Sequence, residues 1–389
     1  MLDLSLLPRK EESSKLLKWS RSKTCVVLPY PPAYSETFLK THLQHLSAPV
    51  RLLEQFPVDV QDTDRFQLSC DKNEMLKQRL KAVLQGYVLN PIKRTNLRNF
   101  FRQHQIGVVL AEYGGTGVGV LEFCQNLRIP LVVHFHGSDA YSHENLERYG
   151  ESYKRMFAYA NALIAVSRDM IGQLVRLGAS REKIFYNPCG VEVSQFKPAS
   201  RKHSLQVIAV GRFVEKKAPY LTILAFKKLL EHVPEAKLVM VGSGPLHDVC
   251  RQLIKSLHID HAVELKGVLE PEHVAALMEQ SCIFVQHSLT PRSGDSEGTP
   301  VAILEAAASA LPIVGTRHAG IMDAVVEGET GYLVDEGDVE GMAQHMYQLL
   351  TDPQLADKMG SRGREYITEN FNVNASIKNL KDILDQYRR

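Results

Sequence analysis

The chain has 389 residues, of which 44% are hydrophobic and 23% charged, with a net charge of +2. That length favours two domains. The composition excludes a disordered or fibrous chain, and the near balance of charge carries no signature of nucleic-acid binding.

From the N-terminus, MLDLSLLPRKEESSK carries charge where a signal peptide needs an apolar stretch, so a cytoplasmic chain is expected. Cysteines 25, 70, 124, 189, 250 and 282 contain no Cys-x-x-Cys pair, which argues against a zinc framework or disulfides. No apolar run approaches the roughly 20 residues of a membrane span. Strand-like runs follow at TCVVLPY (23–29), VVLAEY (108–113), PLVVHFH (130–136) and ALIAVS (162–167). A second series runs through LQVIAVG (205–211), AKLVMVG (236–242), AVELKG (262–267), CIFVQHS (282–288) and PIVGT (312–316). Helical spacing fills the intervals, as in YLTILAFKKLLEHV, so each series predicts a parallel sheet covered by helices on both faces. The segment 187–204, with two prolines and a glycine, divides the series.

Ligands in such sheets sit beyond the carboxyl ends of the strands. In the second series VGRFVEKK brings Arg212 and Lys217 there, two cations suited to a diphosphate, and VGSGP brings Gly242 and Ser243. SEGTPVAILEA supplies a helix start, with Thr299 as the expected cap and Pro300 at the first position. Gly298, Thr299, Pro300 and Val301 then form an anion site. Glu297 precedes that turn, and Glu305 lies roughly 7–8 Å along the helix from its start. Two carboxylates straddling an anion site match a nucleotide-sugar, with ribose hydroxyls at Glu305 and sugar hydroxyls at Glu297.

Together GRFVEKK, VGSGP, EGTPVAILEA, GETGYLV, AVSR (165–168) and NPCGV (187–191) resemble the retaining nucleotide-sugar glycosyltransferases of glycosyltransferase family 4. The resemblance covers most of the chain from about residue 23. It implies an α/β GT-B fold, two Rossmann-like domains with parallel sheets facing each other across a cleft. The expected bounds are 1–198 for the acceptor side, 199–370 for the nucleotide-sugar side, and 371–389 for a helix crossing back. It also implies no bound metal or other cofactor, and a donor contact near the reacting carbon from the histidine of HFHGSDAY, here His136. His134 is expected to be a packed strand residue. Asp139 at the same strand end is an acceptor-side candidate.

Where many relatives carry Gly-Gly after the first strand, this chain has PYPPAYSETF, which resembles an exopolysaccharide-synthesis subgroup and makes Ser35 and Glu36 further acceptor-side candidates. Base recognition is expected around Lys266, Gly267 and Val268. Residues 72–105 hold eight Lys or Arg against one Glu. They read as a solvated helical face or as a contact with an anionic membrane or a lipid-diphosphate acceptor. The expected activity is metal-independent hexose transfer, with retention, from a UDP- or GDP-sugar to a glycan or lipid-linked glycan. A sugar-nucleotide epimerase and a non-catalytic nucleotide-sugar-binding assembly protein are the alternatives.

Overall fold

A computed structural model describes residues 22–29, 36–46, 50–53, 65–66, 99, 101–200 and 205–389. Ser35 and nearly all of the basic segment 72–105 lie outside the described residues. Among the described residues, no helix is long and apolar enough to cross a membrane.

The strands of the first half are β1 (Lys23–Leu28), β2 (Val50–Leu53), β3 (Arg65–Phe66), β4 (Ile106–Glu112), β5 (Leu131–Phe135), β6 (Ala162–Ala165) and β7 (Ile184–Tyr186). They form one parallel sheet in the order β3-β2-β1-β4-β5-β6-β7. The second half contributes β8 (Gln206–Val210), β9 (Lys237–Val241), β10 (Val263–Gly267), β11 (Ile283–Gln286), β12 (Ile313–Thr316) and β13 (Gly331–Val334). Their parallel sheet has the order β10-β9-β8-β11-β12-β13. Strand order reverses between β1 and β4 and between β8 and β11, and crevices at strand ends open at such points.

The strand sequences explain the layering. Cys25 and Val27 of β1 join one apolar cluster, whereas Val26 and Leu28 join the cluster on the opposite face. Period-two alternation with every position apolar is the mark of a sheet buried on both sides. The final helix, Val373–Tyr387, places Leu380, Ile383 and Leu384 in the second of those clusters, so it covers the first sheet. The preceding helix, Pro353–Asn370, instead packs Ile367 into a cluster of the second sheet. At the break between them Val191 and Asn372 form a bridge, and Ser376 Oγ donates to the Pro188 carbonyl.

The nine strand-like runs all form strands. β2, β3, β7 and β13 were not anticipated as strands: β3 and β7 have two and three residues, and β13 begins inside the turn-rich GETGYLV. Such short runs carry too little periodicity to separate them from loops.

Candidate active site

The loop after β8 forms a single 3-10 turn, Glu215–Lys217, and passes through Ala218 at φ 35° into the helix Pro219–Leu230. The turn aims two consecutive lysines at the segment between β11 and the next helix. Lys216, which is buried, places Nζ 3.0 Å from Asp295 Oδ2 and also donates to the Ser296 carbonyl at 3.0 Å. Lys217 places Nζ 3.0 Å from Glu297 Oε1, which also accepts from Ser288 Oγ at 3.2 Å. Lys217 and Glu297, assigned from sequence to phosphate and sugar respectively, are therefore in direct contact. Burial opposes ionisation of Glu297, but Lys217 and Lys216 outweigh it and hold the carboxyl at about 2. Arg212 is exposed and shares with Lys217 the lining of a recess at the ends of β8 and β11.

His318 supports the same loop. The Glu297 N–H donates to His318 Nε2 at 3.2 Å, which makes that nitrogen the acceptor, so Nδ1–H faces Glu336 Oε1 at 2.6 Å. Glu336 in turn accepts from the Thr290 amide.

The expected helix cap is corrected. The helix spans Val301–Ala308 with Pro300 at the cap and no capping side chain. Thr299 Oγ1 instead donates to the Val166 carbonyl at 2.8 Å and accepts from the Cys189 amide at 3.0 Å, joining the two halves. The Val301 amide turns back to the Thr299 carbonyl, so it is already engaged. Gly298 is required by proximity, since a Cβ there would lie 2.1 Å from the His136 carbonyl oxygen. Farther along the helix, Glu305 has no side-chain hydrogen bond or ion pair among the described residues, and burial pushes its carboxyl up to about 7.

At the strand-end glycines, a Cβ at Gly242 would stand 1.9 Å from the Gly211 carbonyl oxygen, so close approach of the chain's own backbone requires glycine there, and Ser243 beside it is exposed. On the edge strand β10, Lys266 pairs with Glu264 at 2.6 Å, Gly267 accepts from the Gly242 amide, and Val268 is exposed.

In the first half, Asp139, the acceptor-side candidate, has a structural role. It is buried, and its carboxylate accepts from the amides of His136, Gly137 and Gly114, fixing the turn after β5. His136 stands where the halves meet, yet its side chain is only 4% exposed and its Nε2 lies 2.7 Å from Glu112 Oε2. Burial works against charging this ring, but Cys189 and Glu112 raise it to about 10. Glu112 is fully buried and also meets His42 Nδ1 at 2.9 Å. Burial would raise this carboxyl, but the histidines, His42 foremost, hold it well below the usual carboxylate range. His134 is buried as expected. Glu36 accepts from Tyr113 OH at 2.5 Å at the same sheet edge.

Sequence reasoning missed Lys216, Asp295, His318, Glu336, Glu112 and His42. Glu112 alone had a local signal, an acid closing an apolar strand.

Two family models match the chain: Glycosyltransferase Family 4 over residues 75–195 and Glycosyl transferases group 1 over residues 191–366. The putative colanic acid biosynthesis glycosyltransferase WcaL of Escherichia coli K12 is 31% identical over 284 residues, covering 71% of this chain and 70% of that protein. The amylovoran biosynthesis glycosyltransferase AmsK of Erwinia amylovora is 26% identical over 91% of this chain and 97% of its own length. Among solved structures, Anabaena HepE in complex with UDP superposes with a TM-score of 0.74 at 16% identity, covering 94% of this chain and 100% of that one. Both halves match family models, and a relative above 30% identity is spanned over more than two thirds of its length. The chain therefore belongs to the family 4 glycosyltransferases and has their GT-B fold.

Proposed function

We propose that the protein transfers a hexose from a UDP- or GDP-sugar, with retention, to a glycan or lipid-linked glycan in exopolysaccharide biosynthesis. The observation that carries this reading is the contrast between the two glutamates. Glu297 is ionised against Lys217 beside Arg212, whereas Glu305, on the helix that follows, keeps a half-buried carboxyl group without a cation. Cations at the first would receive the diphosphate, and the second would receive a ribose diol. The names of WcaL and AmsK support polysaccharide assembly, and the UDP of the HepE complex supports a uridine donor as the first to test.

In the reaction the bond from the anomeric carbon to the donor phosphate breaks, and the leaving diphosphate gains charge. Arg212 and Lys217 stabilise that charge electrostatically, without a metal at the phosphates. Glu297 holds sugar hydroxyls and Lys217 together, and the acceptor oxygen attacks from the face the phosphate leaves, giving that phosphate its proton. His136 orients the sugar from the first domain once the halves close on it.

The test is a panel of UDP- and GDP-sugars screened for thermal stabilisation, because ligand binding to the folded state raises its stability. The product made from the best donor is then examined for anomeric configuration by NMR. Inversion would overturn retention. Stabilisation by no nucleotide-sugar would overturn the donor class, and an altered free sugar released without acceptor would indicate an epimerase.

A further inference from the structure

The carboxylate of Glu112 organises the polar interior of the first domain. It closes β4, is fully buried, and meets a different imidazole with each oxygen: His42 Nδ1 lies 2.9 Å from Oε1, and His136 Nε2 lies 2.7 Å from Oε2. An ionised carboxylate only accepts, so both of these nitrogens carry protons. His42 therefore donates through Nδ1 and His136 through Nε2, and the His136 ring keeps Nδ1 for another partner.

A buried carboxylate either finds a counter-charge or takes up a proton. Among the described residues, the ion-pair partners of Glu112 are the imidazoles of His42, His134 and His136, and His136 makes the shortest contact. Burial foremost, and then His136, hold His134 well below the usual imidazole range, so His134 supplies no charge. His136 is the opposite case. Burial opposes its charge, but Cys189 and Glu112 together raise it to about 10. The titratable groups facing the ring are Glu112 at the end of β4, Tyr113 just beyond it, His134 on β5, His42 on the helix Thr37–His45, and Cys189 on the segment joining the halves. Tyr113 donates in turn to Glu36.

We propose that Glu112, seated by His42, is a positioning residue for the transfer reaction: it fixes the His136 ring through Nε2–H and leaves Nδ1–H as a hydrogen-bond donor to the donor sugar. This rests on the reading of His136 as the sugar-side residue. A ring protonated on both nitrogens cannot take the acceptor's proton, so His136 acts as an oriented cation and that proton goes to the leaving phosphate. The ring's other side-chain neighbour, Cys189, offers only a weakly accepting sulfur, which a sugar oxygen can replace. The turn that carries the ring is fixed as well. Asp139 accepts from the His136 and Gly137 amides, and the His136 carbonyl lies against Gly298, next to Glu297. Glu112 thereby sets the first domain's cation beside the loop that carries the second domain's carboxylate.

The test is nitrogen NMR of histidine-labelled, full-length protein, with His136→Gln identifying the ring signal, beside kcat measured against pH with the best donor. In the wild type the ring should stay doubly protonated at pH 8. In Glu112→Gln its titration should move down by at least about one pH unit, a tenfold change in proton affinity, and the alkaline limb of kcat should move with it. KM for the donor should change less than about threefold. Glu112→Asp, which keeps the charge, should recover part of the displacement, whereas a merely structural role would lower kcat by one factor at every pH. A wild-type ring that titrates near the ordinary 6.5 would overturn the proposal, and this measurement decides alone should a variant fail to fold. So would an NMR displacement that the kcat profile does not follow. A wild type that transfers to no acceptor would overturn the functional reading and the role in transfer with it, while the NMR titration would still decide whether Glu112 charges the ring.

Discussion

The two domains gather charge in opposite ways. In the second, Lys216 and Lys217 meet Asp295 and Glu297 as discrete pairs between loops, and Lys217 and Glu297 stand in recognisable sequence motifs. In the first, one buried carboxylate is shared among histidines from a helix, from β5 and from the turn that follows β5. Loop pairs at a strand end can exchange partners when a charged ligand arrives, because neither member is enclosed by the sheet. A carboxylate fully buried at the end of an inner strand has no such freedom. The second domain thus presents cations in loops at a strand end, and the first holds a fixed arrangement of imidazoles.

If His136 acts at the sugar while the second domain binds the diphosphate, removing the ring should separate rate from binding. For His136→Ala, kcat is expected to fall about a hundredfold, the lower range for one positioned catalytic group. Calorimetric affinity for the bare nucleoside diphosphate should stay nearly unchanged. An affinity that falls as far as the rate would erase the division between domains.

Lys217→Ala should weaken nucleoside-diphosphate binding by about 1.5–3 kcal/mol, the range for a hydrogen bond to a charged group. It should also lower the melting temperature, because Glu297 keeps its charge with a partner removed. Arg212→Ala should weaken binding with less effect on melting, since Arg212 is exposed. Unchanged affinity in both variants would remove the anion site from the second domain.

The two glutamates sharpen the comparison further. Glu305→Gln should weaken the bare nucleotide, and Glu297→Gln mainly the sugar-bearing donor; equal losses for both ligands would merge the two roles. pH provides an independent check. Glu305 rises from 4.5 to about 7 on folding, so between those values the folded state holds a proton that the unfolded state has released. Its contribution to stability therefore diminishes as pH rises through that window, and urea titrations of Glu305→Gln should lose that part of the pH dependence. Nucleotide affinity in the wild type should increase from pH 6 to 8 as the carboxylate forms, relative to a flatter profile in Glu305→Gln. Identical profiles would exclude the ribose assignment.

The smallest expected effect is that of a chelator on diphosphate binding, which should be unaltered because Arg212 and Lys217 supply the positive charge. Loss of binding in EDTA, restored by magnesium or manganese, would contradict a cation-only phosphate site.

The sequence by itself determined the two parallel sheets and the motif loops, because apolar runs of strand length and Gly-Thr-Pro punctuation are local properties. It also placed Arg212, Lys217, Glu297 and Glu305 at one end of the second sheet. Only the tertiary structure decided which of these groups touch. Lys217 reaches Glu297 across 80 positions, and Thr299 turns from its own helix to Val166 in the other half. The histidine cluster was least legible. His134 and His136 stood in view as a pair, but their carboxylate lies on the neighbouring strand and His42 on a helix far upstream. Parallel register brings Glu112 opposite His134, and that register is set by the packing of whole strands rather than by any residue near either side chain.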